Sequence, residues 1–133
     1  MKHLLPGVLL MSLASLACRD VDRDLPRTYR RMDVPAALLG SSEAQGRGRA
    51  LFLEHCALCH GERGDGHGVR REGFVRAPRD FTNQAWRRST SPRRVFFAIR
   101  EGVSGTPMPA WTNLSEQDAW QVTAYVLSLG GPK

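Results

Sequence analysis

Cys56-Ala57-Leu58-Cys59-His60 decides how this chain is read: two cysteines two residues apart, with a histidine directly after the second. The spacing fits covalent attachment of a haem, the Cys56 and Cys59 sulfurs forming thioethers to the two vinyl groups along one porphyrin edge. His60 then falls beneath the iron and supplies an imidazole ligand. A Cys-x-x-Cys zinc site needs a second pair of donors. The only further cysteine, Cys18, stands far from the pair in sequence. Covalent haem is therefore favoured over a metal ion or thiol redox chemistry.

Working outward towards the N-terminus, residues 1–17 read as a removable export signal. Met1-Lys2-His3 is a short basic start, Leu4 to Leu16 is mostly apolar, and Ser15-Leu16-Ala17 is a small-residue exit. A membrane span needs about 20 apolar residues, and this run is shorter. Cys18, directly after the exit, resembles the lipobox cysteine of bacterial lipoproteins, which is lipidated after export. Ordinary cleavage at Ala17 would instead leave an unpaired, exposed thiol, a liability in an exported protein.

Residues 18–42 are charged, contain Pro26 and Pro35, and show no sustained apolar period, so they read as a lipid-anchored flexible tether. Taken as coil, it would span roughly 25–30 Å. Tyr29, Met32, Leu38 and Leu39 offer the alternative, packing on the domain or on a partner.

Residues 43–133 read as one folded domain, as expected for a chain of 133 residues. Glu43 to His55 predicts a helix capped by Ser41 or Ser42, with Ala44, Gly48, Leu51, Phe52 and His55 near one face and His55 towards its solvent side. Gly48 weakens a helix by about 1 kcal/mol relative to alanine, which points to close approach by another element. Ser91-Pro92 opens a second helix, with Val95, Phe96 and Ile99 as its apolar stripe and Gly102 at its end. Ser115 caps a third, in which Ala119, Val122, Tyr125, Val126 and Leu129 recur at helical spacing. No alternating strand pattern appears, so the fold class is all-α. Between Gly61 and Thr90 lie about thirty glycine-, arginine- and polar-rich residues, too long a loop for a compact domain unless it wraps a large apolar group such as haem.

A six-coordinate haem needs a second ligand, and Met108 is the candidate. It lies in Gly105-Thr106-Pro107-Met108-Pro109, where two prolines stiffen the backbone. Met1 and Met11 leave with the signal and Met32 lies in the tether. Thioether ligation raises the reduction potential and closes the iron, which suits electron transfer. His67, in a glycine-rich turn, is a weaker alternative ligand. Arg76, Arg79, Trp86 and Trp111 are candidates for the haem edge or its propionates.

These residues together make the chain resemble the class I c-type cytochromes. The likeness rests on Gly48 and Phe52, Cys56 to Gly61, Gly64-Asp65-Gly66, Pro78-Arg79-Asp80-Phe81, the Gly102–Trp111 stretch, and Trp120 with Tyr125. It implies a small cytochrome c fold, three main helices plus long loops wrapped around one covalently bound haem. It further implies that Gly48 and Phe52 meet the helix face carrying Tyr125. It also implies that the Pro78 carbonyl accepts a hydrogen bond from the unligated nitrogen of His60.

The formal charge of +6 falls by one, to about +5, without Lys2. Arginine pairs at 30–31, 70–71, 87–88 and 93–94 suggest either a solvated surface or a basic face for acidic redox partners or anionic lipid. An exported chain without a nucleic-acid motif argues against nucleic acid. No paired carboxylates or nucleophile–base constellation stands out, so no catalytic site of the chain's own is expected. The expected function is single-electron transfer at the periplasmic side of a bacterial membrane. A fixed haem c subunit of a membrane respiratory oxidoreductase is the second reading, and a haem-based gas sensor or haem enzyme with a labile sixth ligand the third.

Overall fold

The structure, a computed structural model, describes residues 20–131. The signal-peptide reading and Cys18 lie outside the described residues. Within them are seven helices and no strand: α1 (Arg27–Arg30), α2 (Ala36–Leu39), α3 (Ser42–His55), α4 (Ala57–His60), α5 (Gln84–Ser89), α6 (Pro92–Glu101) and α7 (Glu116–Leu129). None is long and apolar enough to cross a membrane.

The three main helices start where their caps dictate. Ser41 Oγ accepts from the Ala44 N–H at 3.3 Å, Ser91 Oγ from the Arg94 N–H at 3.1 Å, and Ser115 Oγ from the Asp118 N–H at 3.0 Å. Each cap satisfies a donor that the first helical turn would leave open, an effect of about 1 kcal/mol.

α3 crosses α7 at Gly48, and the missing side chain sets the distance. A Cβ there would overlap the Gln121 carbonyl and lie 3.0 Å from Tyr125 Cβ. One turn on, Phe52 is fully buried and meets Tyr125 edge-on at 5.2 Å between ring centroids. Burial of such a ring contributes about 2–3 kcal/mol. α6 lays Val95, Phe96 and Ile99 into the same core, with Phe96 stacked on Trp120 at 4.1 Å. α7 runs through the middle of the core, so every residue from Ala119 to Leu127 is buried.

The segment expected as a flexible tether departs from that expectation over its described part, residues 20–42. Leu25 is buried, and Tyr29, Met32, Val34, Leu38 and Leu39 pack against the main core. Polar contacts fasten the same segment to α6. Arg93 Nε donates to the Met32 carbonyl at 2.9 Å and its guanidinium lies 3.6 Å from Asp22. Arg94 donates to the Val21 carbonyl and to Asp24, Ser91 donates to Asp22, and the Tyr29 hydroxyl donates to Glu101. Two of the arginine pairs are therefore partly structural. Arg93 and Arg94 hold this arm, and Arg87 Nε donates to the Leu127 carbonyl at 2.9 Å. The long loop is also less bare than its composition implies, because α5 forms within it, capped by Asn83 Oδ1 on the Trp86 N–H.

Candidate functional site

A single cavity of about 340 Å³ lies between α3–α4 on one side and α6 with the 103–111 loop on the other. Cys56, Cys59, His60 and Met108 all line it, as do Arg76, Arg79, Trp86 and Trp111. Phe52, Phe81, Val95, Ile99, Val122 and Val126 make much of the remaining wall apolar.

The His60 wall is built by a strap folded over α4. Gly66, Gly68 and Arg70 donate their N–H groups to the carbonyls of His60, Cys59 and Leu58 at 2.8, 3.1 and 2.8 Å. These are carbonyls that the end of so short a helix would leave open. His60 Nδ1–H donates to the Arg79 carbonyl at 3.1 Å, which fixes the ring and leaves Nε2 as its available ligand atom. The acceptor is Arg79, one residue beyond the Pro78 carbonyl that the family likeness implied. Phe81 stacks on the imidazole at 4.6 Å and 24°. Burial lowers the His60 pKa, partly opposed by the hydrogen bond to Arg79, which favours the neutral ring.

Cys56 and Cys59 carry no disulfide. Burial, and then the neighbouring Cys59, push the Cys56 thiol up to about 12. A thiol held protonated is a poor nucleophile for disulfide exchange. Among the described residues no three His, Cys, Asp or Glu side chains converge as metal donors. The donors are instead two thiols, one imidazole and one thioether lining the same mainly apolar space, and that set fits a covalently attached haem.

The Met108 wall is a loop. The Val103 N–H donates to the Met108 carbonyl at 3.2 Å, Met108 N–H to Thr106 Oγ1 at 3.3 Å, and Trp111 N–H to the Ile99 carbonyl at 2.9 Å. Met108 is half-buried.

Two histidines sort differently. His67 is exposed, bonded to the Asp65 carbonyl at 2.8 Å, and does not line the cavity. His55 does line it, 5.2 Å from Trp111, where the solvent side of α3 was expected. Its position at the last turn of α3 brings it next to Cys56 and onto the cavity rim. Phe74, Ala77 and Ala98 were not singled out from the sequence yet also line the cavity. Phe74, one of few large apolar residues in an otherwise polar loop, was the available signal.

An all-α fold that brings a C-x-x-C-H turn and a methionine to one mainly apolar cavity defines a c-type cytochrome domain, a class that carries haem c. The chain belongs to the family described as cytochrome C oxidase, cbb3-type, subunit III, which matches residues 43–126. Among curated relatives, the cbb3-type cytochrome c oxidase subunit CcoP of Cereibacter sphaeroides is 40% identical over 89 residues, covering 63% of this chain and 27% of that protein. The cbb3-type subunit FixP of Bradyrhizobium diazoefficiens is 32% identical over 88 residues, 65% of this chain and 28% of its own length. A thiosulfate dehydrogenase of Stutzerimonas stutzeri is 29% identical over 87 residues, with 65% and 28% covered. The chain thus spans less than a third of the length of these relatives. Among solved structures, a chain of the Kuenenia stuttgartiensis reducing HAO-like protein complex superposes with a TM-score of 0.62 at 30% identity, covering 74% of this chain and 49% of that one. The KustC0563 c-type cytochrome gives 0.51 at 27% identity, covering 62% and 95%.

Proposed function

We propose that this chain is an exported, lipid-anchored cytochrome that carries one haem c and passes single electrons at the periplasmic face of a bacterial membrane. Cys56 and Cys59 would form the thioethers to the haem, and His60 Nε2 and the Met108 sulfur would ligate its iron. The observation that carries the reading is that all four line one cavity, His60 and Met108 on different elements of its wall. When bound, the haem supplies a one-electron couple. The protein orients His60 through Arg79, keeps water away with Phe52, Phe81, Val95 and Ile99, and closes the sixth position with Met108. Cys18 is the lipidated residue, and acidic surfaces on redox proteins are the expected partners.

A second reading, a fixed subunit of a respiratory oxidoreductase, is favoured by relatives that are cbb3-type oxidase subunits. Isolation in mild detergent separates the two, since stable co-purification with oxidase subunits selects the complex.

The central test is Met108→Ala with a redox titration. Loss of the sulfur, which favours ferrous iron, should lower the potential and let the ferrous protein bind carbon monoxide at neutral pH. An unchanged potential and spectrum would remove Met108 from the ligand set. Ready binding of carbon monoxide by the native protein would favour a gas sensor. Intact mass tests Cys18 separately: haem plus diacylglycerol is expected, and haem alone rejects the anchor.

A further inference from the structure

We propose that the docked arm is a lipid-binding plate, on which Arg23, Arg27, Arg30 and Arg31 engage the phosphates of an anionic bilayer and mount the haem domain directly on the membrane surface. Residues 20–33 carry four arginines against four aspartates, of which Asp20 and Asp33 are exposed and the other two are engaged by the domain, leaving an excess of two arginines on the outer side. Asp22 and Asp24 turn towards the domain and are taken up by Ser91, Arg93 and Arg94. The arginines turn the other way: all four are exposed, and among the described residues none lies within ion-pair distance of a carboxylate.

The four are also held together. Arg27, Arg30 and Arg31 wall one shallow surface hollow, and Arg30 Nη1 donates to the Arg23 carbonyl at 3.4 Å. Their backbone is fixed because the opposite side of the arm, Leu25, Tyr29 and Met32, is packed on the core. A guanidinium cluster presented in this way gives bidentate partners to phosphate with little ordering left to do.

Sequence position selects lipid as the occupant over an acidic protein. Arg23 stands five residues after Cys18. Even fully extended chain covers about 3.5 Å per residue, so an anchor at Cys18 keeps Arg23 within about 18 Å of the bilayer. Within that reach lies the Debye length, about 8 Å in physiological salt, inside which each arginine strengthens binding to an anionic surface about fivefold. The proposal rests on the membrane-mounted reading above but predicts lipid binding without the anchor.

The test therefore uses full-length haem-loaded protein with Cys18→Ser, which carries no lipid, in cosedimentation with phosphatidylcholine vesicles with and without phosphatidylglycerol. Binding should require phosphatidylglycerol and weaken with salt. Arg23→Gln, Arg27→Gln, Arg30→Gln and Arg31→Gln together should reduce it at least about tenfold while the haem spectrum stays native. The same change at Arg63, Arg70 and Arg71, in the strap over α4, should leave most of the binding. Equal binding by the two triple and quadruple variants, or no binding by the unsubstituted arm, overturns the proposal. Failure of lipid to appear on native Cys18 would count against the anchor alone.

Discussion

The two walls of the cavity are held by different means. On the His60 side, three backbone hydrogen bonds from the strap, a fourth from the imidazole and a stacked phenylalanine converge on a four-residue helix. On the Met108 side, four bonds among Val103, Thr106 and Met108 tie the loop only to itself, and it is held to α6 behind it at Trp111, whose N–H donates to the Ile99 carbonyl and whose carbonyl accepts from Arg100. Backbone bonds that close over a helix end leave few alternative conformations, whereas a loop on a braced helix can move with its brace. On the proposed ligand set, the His60 wall would define where the haem sits, and the Met108 wall how tightly the iron is closed.

Paired glycine substitutions test that contrast most severely. A Cβ at Gly68 would lie 2.5 Å from the Cys59 carbonyl carbon, so Gly68→Ala must push the strap off α4. Overpacking of this kind costs about 3 kcal/mol, and covalently loaded protein should fall with it. Gly105 faces open space at φ +73°, so Gly105→Ala meets only the left-handed backbone cost of about 1 kcal/mol. Denaturant unfolding of the holoprotein, with the yield of attached haem, measures both. Equal losses would mean that the two walls are equally determined.

A smaller change probes the Met108 wall alone. The Thr106 hydroxyl donates to the Val103 carbonyl at 2.7 Å and accepts from the Met108 N–H. Thr106→Val keeps the shape and removes both bonds, which water partly replaces at this half-exposed site, for about 1 kcal/mol in all. Global stability should change little, but carbon monoxide should bind the ferrous protein faster than in the parent. An unaltered rate would show that the prolines alone position the sulfur.

Much of this was legible in the sequence, and the remainder failed for identifiable reasons. Three serine caps, the apolar spacing in α6 and α7 and the helical Gly48 are local signals, and each corresponds to a feature of the fold. The arm was not legible as packed, because Pro26 and Pro35 divide it into helices of four residues that are too short to show a period. Leu25, Tyr29, Met32, Val34, Leu38 and Leu39 reach the core through turns instead of along one helix face. The acceptor for His60 is a backbone carbonyl, which leaves no side-chain signature and was assigned one residue early. Helical spacing puts His55 near the face of Phe52, where it lines the cavity, and only its solvent-side orientation differs, because a residue at a helix end is oriented by where the chain turns next. The arginine pairs looked alike as charge, yet Arg93 and Arg94 serve the arm while Arg30 and Arg31 face outward.

The arm gives the finest test of the walls, since the Tyr29 hydroxyl donates to Glu101, the last residue of α6 before the Met108 loop begins. Burial, and then the bond to Glu101, push the Tyr29 phenol up to about 12 from 10.0. The fold therefore holds that proton more tightly than the unfolded chain does. Its stabilisation is complete below pH 10 and is lost as pH rises through about 12. The phenol is only half-buried, so solvent screening keeps the effect below about 1 kcal/mol. Between those pH values the parent should lose thermal stability more steeply than Tyr29→Phe, which has no phenolic proton to lose. The same variant, at neutral pH, should bind carbon monoxide slightly faster, because release of Glu101 loosens the brace behind Met108. Steeper alkaline loss without any change in ligand binding would separate the arm from the Met108 wall, and the contrast between the walls would then lie in the loop itself.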